Sequence, residues 1–206
     1  MKIIGLTGAI GSGKSYIAQI FESIGIPIYN SDKKAKLIIQ QNTELQNAII
    51  QLLGKNAFLE NGVYNTSFVA KIVFNDNEKL NKLNHLVHNY VKEDSEKWAL
   101  ENNNAPYLLK ESALLFEANV FINCFKTICV IAPEILRIER VMNRDKISEN
   151  EVQNRMKNQY SQEKKAELAD YIIINDGKAL IIPQVYNIHQ NILHQINVDS
   201  ISHKNQ

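Results

Sequence analysis

Eight consecutive residues constrain this chain more than any others: Gly8-Ala9-Ile10-Gly11-Ser12-Gly13-Lys14-Ser15 fits the spacing G-x-x-x-x-G-K-[ST] at every fixed position. The flanks fit as well. Lys2 to Thr7 is an apolar run suited to a buried parallel strand, and from Tyr16 to Ser23 the spacing predicts a helix with Ile17, Ile20, Phe21 and Ile24 on one side. A glycine-rich turn between strand and helix lets successive N–H groups point at phosphate oxygens, and the helix N-terminus adds about half a positive charge there. Lys14 reaches the outer phosphates. Ser15 offers a hydroxyl to Mg²⁺, a hard cation that prefers oxygen. A nucleoside triphosphate site is therefore expected over Gly8, Ala9, Ile10, Gly11, Ser12, Gly13, Lys14, Ser15 and Tyr16.

With 206 residues, 45% of them hydrophobic, the chain can bury one good core and carry small appendages. A net charge of +1 provides no overall field for nucleic acid or a membrane surface, so the expected ligands are small molecules. Cys124 and Cys129 lack metal-ligand spacing, and no stretch resembles a secretory signal or a membrane span. A reduced, cytoplasmic protein is expected, as a monomer or weak homo-oligomer.

Gly25 to Tyr29 predicts a second strand, running into Asn30-Ser31-Asp32 and a lysine-bearing helix. Asp32 then falls at the carboxyl edge of the sheet, where open α/β proteins bind ligands. Thr43 and Gln46 are spaced as a capping box with Gly54 as a stop, Leu59 to Gly62 is a turn, and Phe68, Val69, Ile72 and Val73 mark a short helix. A long helix over Glu78 to Glu101 follows, so residues 31–104 form a helical insertion. Further strands are expected at Tyr107 to Glu111, Lys126 to Ala132 and Tyr171 to Ile174, and a last helix at Pro183 to Ile196 with a frayed tail from Asn197. Five strands separated by helices predict an α/β fold with a doubly wound parallel sheet. The expected organisation is a single domain whose core is 1–30, 105–135 and 168–206.

All four arginines, Arg137, Arg140, Arg144 and Arg155, fall within 19 positions, while the other cations are lysines spread along the chain. Arginine alone offers a rigid bidentate fork for phosphate. Residues 137, 140 and 144 share a helical face, and Ser148 with Glu151 forms a capping box opening a second helix. Two readings fit: a helical lid over 136–167 that closes on the triphosphate, or a solvated helix pair in which Glu134, Glu139, Glu149 and Glu151 neutralise the arginines.

A switch GTPase would need [NT]-K-x-D and D-x-x-G, and neither occurs. A kinase gripping an acceptor monophosphate would place arginines after the second strand, yet none precedes Arg137. An alcohol acceptor fits better, and it gains from a general base; Asp32 suits that role, although Ser31 or Asp32 also suits a helix N-cap. Glu111 suits either Mg²⁺ or a solvated strand end. His88 suits an acceptor contact or a structural role, and Asn175-Asp176-Gly177 a purine contact or a turn. An ATP-binding regulatory module without transfer chemistry is the alternative of another class.

Taken in order, GLTGAIGSGKS, IYNSD, LNHLVH, ESALLFE, the R-x-x-x-R of Arg140 and Arg144, the R-x-x-x-Q of Arg155 to Gln159, and ADYIIIND make the chain resemble the dephospho-coenzyme A kinase family. The resemblance implies a P-loop kinase that phosphorylates the ribose 3′-hydroxyl of dephospho-CoA with ATP and Mg²⁺, the last step of coenzyme A synthesis. It implies Asp32 as base and substrate contact, Lys14 and Ser15 on phosphate and Mg²⁺, and Arg140 as a clamping lid arginine with Arg144 on the nucleotide. It further implies that His88, Leu115, Phe116 and Glu117 line the acceptor site and that Asn175 faces adenine. The chain departs from the family at Asn89, where proline is usual, and at Glu111 and Ala113, where aspartate and proline are usual.

Overall fold

The apolar runs fold as β1 (Ile3–Gly8), β2 (Ile28–Asn30), β3 (Leu108–Glu111), β4 (Lys126–Ile131) and β5 (Tyr171–Ile174). In the computed structural model, which describes residues 1–74 and 76–202, they form one sheet in the order β2-β3-β1-β4-β5. β1 pairs in parallel with β3 and β4, and β4 with β5. Parallel pairing needs crossovers, and these carry the helices α1 (Lys14–Ser23), α2 (Ser31–Gln41), α3 (Thr43–Leu53), α4 (Thr66–Phe74), α5 (Asn77–Glu101), α6 (Glu134–Asp145), α7 (Glu149–Met156) and α8 (Gln162–Leu168), while α9 (Ile181–Ser202) follows the last strand. The expected five-stranded parallel α/β sheet is present.

The chain divides into two compact units, Met1–Tyr29 with Asn102–Gln206, and Asn30–Glu101. In the first, α1 and α9 cover one face of the sheet, where Ile17, Phe21, Val185, Ile188 and Ile192 join Ile4, Leu6, Ile128 and Ile173 in a buried cluster. The inner strands β1, β3 and β4 are buried on both faces over most of their length, which is why they carry apolar runs rather than alternation, whereas Ile172 and Ile174 of the edge strand β5 are exposed. The parallel strands end along one edge, and there the chain enters the loops that follow Gly8, Glu111, Ile131 and Ile174. In the second unit, α2 to α5 bury Ile39, Leu45, Ile49, Leu53, Val69 and Leu83 around a core of their own. Lys34 and Asp94 form an ion pair across α2 and α5 at 3.4 Å. Among the described residues no helix is long and apolar enough to cross a membrane.

Several local expectations are corrected. β2 begins at Ile28 rather than Gly25, because the Gly25 and Ile26 amides close the end of α1 on Glu22 O and Phe21 O, and Pro27 has no N–H to give. Ile24 is the cap residue of α1 and 45% exposed; Ala18 takes its place on the buried face. The box expected at Thr43 and Gln46 does not form. Asn42 caps α3 by accepting from Leu45 N at 2.8 Å, and the Gln46 amide donates to Ile39 O and Gln40 O at the end of α2. The last helix starts at Ile181, with Pro183 in its first turn where no N–H is needed, and continues through Ser202. Residues 197–202 of the tail expected to fray are thus helical, and 203–206 lie outside the described residues. The 136–167 stretch holds three helices, α8 having gone unforeseen.

Candidate nucleotide site

The turn from β1 into α1 closes with left-handed backbone at Gly11 (φ 78°) and Gly13 (φ 96°). A side chain at Gly11 would strike the Arg137 carbonyl, and one at Gly13 the Asn175 amide, so both glycines allow close approach. The Asn175 amide donates to Ser12 O at 2.8 Å, and the Asn175 carbonyl accepts from Arg140 at 3.2 Å. Arg140 also reaches Gly11 O at 3.4 Å. The loop, Arg140 and Asn175 therefore form one hydrogen-bonded group, drawn from β1, α6 and the end of β5. Lys14 folds over the loop, its Nζ donating to Gly8 O at 2.9 Å and Ala9 O at 3.4 Å.

Ser15 Oγ donates to Glu111 Oε1 at 2.8 Å, and Glu111 is only 4% exposed. Glu111 is therefore no solvated strand end. A hydroxyl and a carboxylate this close, at the start of a phosphate-loop helix, fit a hard divalent cation that keeps most of its waters. Among the described residues no cluster of three or more His, Cys, Asp or Glu side chains provides a larger ligand set.

The other arginines behave differently. Arg144 makes two hydrogen bonds to Asp145, at 2.7 and 3.0 Å, and Arg155 a third at 2.6 Å. Hydrogen bonding from Arg144, then from Arg155, lowers the Asp145 carboxyl to about 2. Arg155 thus pins α7 to α6 through Asp145, which its α6 neighbour Arg144 also binds and which was not among the expected partners. The Ser148–Glu151 capping box forms, and its backbone bond holds Glu151 below the usual carboxylate range. Arg137 is buried, with Glu134 Oε2 at 3.4 Å from its Nη2.

Glu117 is tied inward: its Oε1 accepts from Tyr160 N at 2.7 Å and pairs with the fully buried Lys165 at 2.8 Å. Leu115 and Phe116 are buried, Leu115 against Gly5 and Phe116 with its ring 5.3 Å from that of Phe121. Tyr16 is 54% exposed on α1. In the second unit, Asp32 is exposed in the first turn of α2 and His88 exposed on α5. The cap of α2 is neither Ser31 nor Asp32; Asn30 accepts from Lys33 N at 2.8 Å. Lys165 and Asp145 escaped the sequence reading, and Asp170 stood in ADYIIIND without an assigned role. Asp170 accepts from Thr127 N, Thr127 Oγ1 and Lys126 at 2.8 to 2.9 Å, so the first half of ADYIIIND joins the starts of β4 and β5.

Compared with known proteins, the chain matches the family model described as dephospho-CoA kinase over residues 2–180. The chain belongs to the dephospho-CoA kinase family. A dephospho-CoA kinase of Bacteroides fragilis is 32% identical over 185 residues, covering 90% of each chain. A crystal structure from Thermus thermophilus is 29% identical, with a TM-score of 0.79 over 94% of this chain and 97% of that one. The dephospho-CoA kinase from Campylobacter jejuni is 27% identical, with a TM-score of 0.66 over 95% and 99%. The phosphate loop, Asp32, Glu111, Arg140 and Asn175 all fall inside the stretch matched by the dephospho-CoA kinase model.

Proposed function

We propose that the protein transfers the γ-phosphoryl group of ATP to the ribose 3′-hydroxyl of dephospho-CoA, giving coenzyme A and ADP. The observation that carries this reading is the unbroken family match over residues 2–180, joined to a phosphate loop intact at every fixed position. The loop N–H groups and Lys14 hold the triphosphate. Asp32 takes the proton of the 3′-hydroxyl as it attacks, and Arg140, already against Gly11 O and Asn175 O, neutralises charge on the transferring group. Asn175 contacts the adenine side, Arg144 the nucleotide, and His88, Leu115, Phe116 and Glu117 the acceptor. Ser15 and Glu111 hold Mg²⁺, which when bound neutralises phosphate charge. The helices α6 to α8 act as a lid that excludes water. The enzyme works in the cytoplasm on small molecules, as a monomer or weak homo-oligomer.

The test is ADP release under Mg-ATP with dephospho-CoA, against no acceptor, AMP, adenosine and pantothenate. Stimulation by dephospho-CoA alone, with coenzyme A as product, is expected. Stimulation by a different alcohol would keep the mechanism and overturn the acceptor. ATP binding without acceptor-dependent release would favour a regulatory module.

A further inference from the structure

The N–H of Ile10, third residue of the phosphate loop, donates to the side-chain oxygen of Gln159 at 2.9 Å, across 149 positions of sequence. A primary amide carries an acceptor and two donors on one carbon. With Oε1 engaged at the loop, Nε2 is held at the loop's rim, and it makes no hydrogen bond among the described residues. A cavity of about 280 Å³ lies there, walled in part by Ala9, Arg137 and Gln159. Arg137 is 5% exposed and its Nε has no partner among the described residues. The two carboxylates on the same wall are engaged, Glu134 with Arg137 and Glu163 with its own backbone N–H and the Ser161 hydroxyl. The wall presents N–H donors in want of acceptors, and an oxygen-rich anionic group complements it.

The amide is also set in place in advance. The next residue, Tyr160, donates its N–H to Glu117 at 2.7 Å, and Glu117 is held by buried Lys165 at 2.8 Å. Two residues on, Gln162 accepts from Ala132 N at 2.8 Å, just past the end of β4. Gln159 thus belongs to a segment bolted to the loops after β3 and β4, while its own N–H donates to Met156 O at the end of α7.

We propose that Gln159 is a phosphoryl-contact residue: its oxygen fixes the Ile10 N–H while its Nε2 donates to the outermost phosphate of the bound triphosphate. The inference rests on the phosphoryl-transfer reading above. It assigns a role to the R-x-x-x-Q segment, and it makes Gln159 a discriminator between ATP and ADP, since only ATP brings a third phosphate to the rim.

The deciding variant is Gln159→Glu, which keeps the shape and the acceptor for Ile10 but replaces the donor with a carboxylate oxygen that repels phosphate. Mg-ATP and Mg-ADP are titrated by calorimetry without acceptor. Loss of a charge-assisted contact predicts about a 30-fold weaker Kd for ATP and less than about a threefold change for ADP. Gln159→Ala, expected to weaken ATP about tenfold with ADP again nearly unchanged, provides the same ratio should the carboxylate impair folding, which a thermal melt monitors. Unchanged ATP affinity in Gln159→Glu, or equal weakening of both nucleotides in the folded variants, overturns the proposal while wild-type ATP binding keeps the transfer reading intact. A wild type that binds neither nucleotide overturns both.

Discussion

Ser15 and Glu111 join the start of α1 to the end of β3 through a 2.8 Å hydrogen bond from an exposed serine to a buried carboxylate. Glu111 ends β3, the parallel neighbour of β1, and Ser15 lies in the first turn of the helix that follows β1, so the strand pairing and the phosphate loop together set their spacing. Glu111→Gln keeps an oxygen that can accept from Ser15 but removes the charge. Turnover followed against Mg²⁺ concentration should show half-saturation shifted upward by about tenfold, the scale of altered metal-site partners. An unchanged Mg²⁺ curve would remove Glu111 from the metal site.

Gly11 and Gly25 both have left-handed backbone, at φ 78° and 87°, yet their surroundings differ. Beside Gly25 a methyl group meets nothing, whereas at Gly11 it meets the backbone carbonyl of Arg137, which cannot swing aside. Gly25→Ala should cost about 1–2 kcal/mol in urea unfolding, the backbone term alone. Gly11→Ala should cost more, about 3 kcal/mol or above, and weaken ATP at least about tenfold, because the loop must shift away from α6. Equal costs at the two sites would mean that α6 yields to the loop.

The phosphate loop, the five strands and the Ser148–Glu151 box were legible because each is encoded locally, by spacing within a dozen residues. Caps were less so: Asn30 precedes both candidates, Ser31 and Asp32, and Asn42 precedes Thr43, since Asn, Ser, Thr and Asp compete for one role and only backbone geometry decides. Lys165 could not be found from sequence at all. It is one lysine among many until α8 packs and removes it from water beside Glu117. The arginine cluster was visible, but its division into Arg140 on the loop and Arg144 with Arg155 on Asp145 depends on which face of α6 meets the sheet.

Lys165 is fully buried, bonded to Ala113 O at 2.5 Å and paired with Glu117 at 2.8 Å. Lys165→Met leaves a carboxylate buried without its counter-charge, a loss of about 3–5 kcal/mol. Lys165→Met with Glu117→Gln removes both charges and keeps an acceptor for Tyr160 N, so it should recover at least about half of that. Chemical unfolding of the two single variants and the double closes the cycle. Additive losses would show that the pair is not coupled.

His189 Nδ1 lies 2.7 Å from the Tyr107 hydroxyl, and burial lowers the histidine pKa below its usual 6.5. A lowered folded-state pKa means that the unfolded chain binds the proton first, so this site's contribution is complete above about 6.5 and is lost as pH falls below it. Unfolding free energies between pH 8 and 5 should decline through that window, and His189→Gln should flatten this part of the decline. A slope unaltered by the substitution would assign it to other groups.

Asp32 is a clean site for a base test because the helix it sits in is capped by Asn30. Asp32→Asn leaves that cap in place and removes a first-turn negative charge, worth about 0.3–1 kcal/mol against the helix dipole. Asn30→Ala, by contrast, should cost about 1 kcal/mol as a lost cap. Asp32→Asn should therefore unfold near the wild-type urea midpoint and bind Mg-ATP normally, while turnover with dephospho-CoA falls by about two to four orders of magnitude, the scale of a lost general base. Stability, nucleotide affinity and turnover measured on one preparation separate the roles: a drop in turnover alone marks the base, a drop in stability marks a structural carboxylate, and turnover within a few-fold of wild type removes Asp32 from the proton's path.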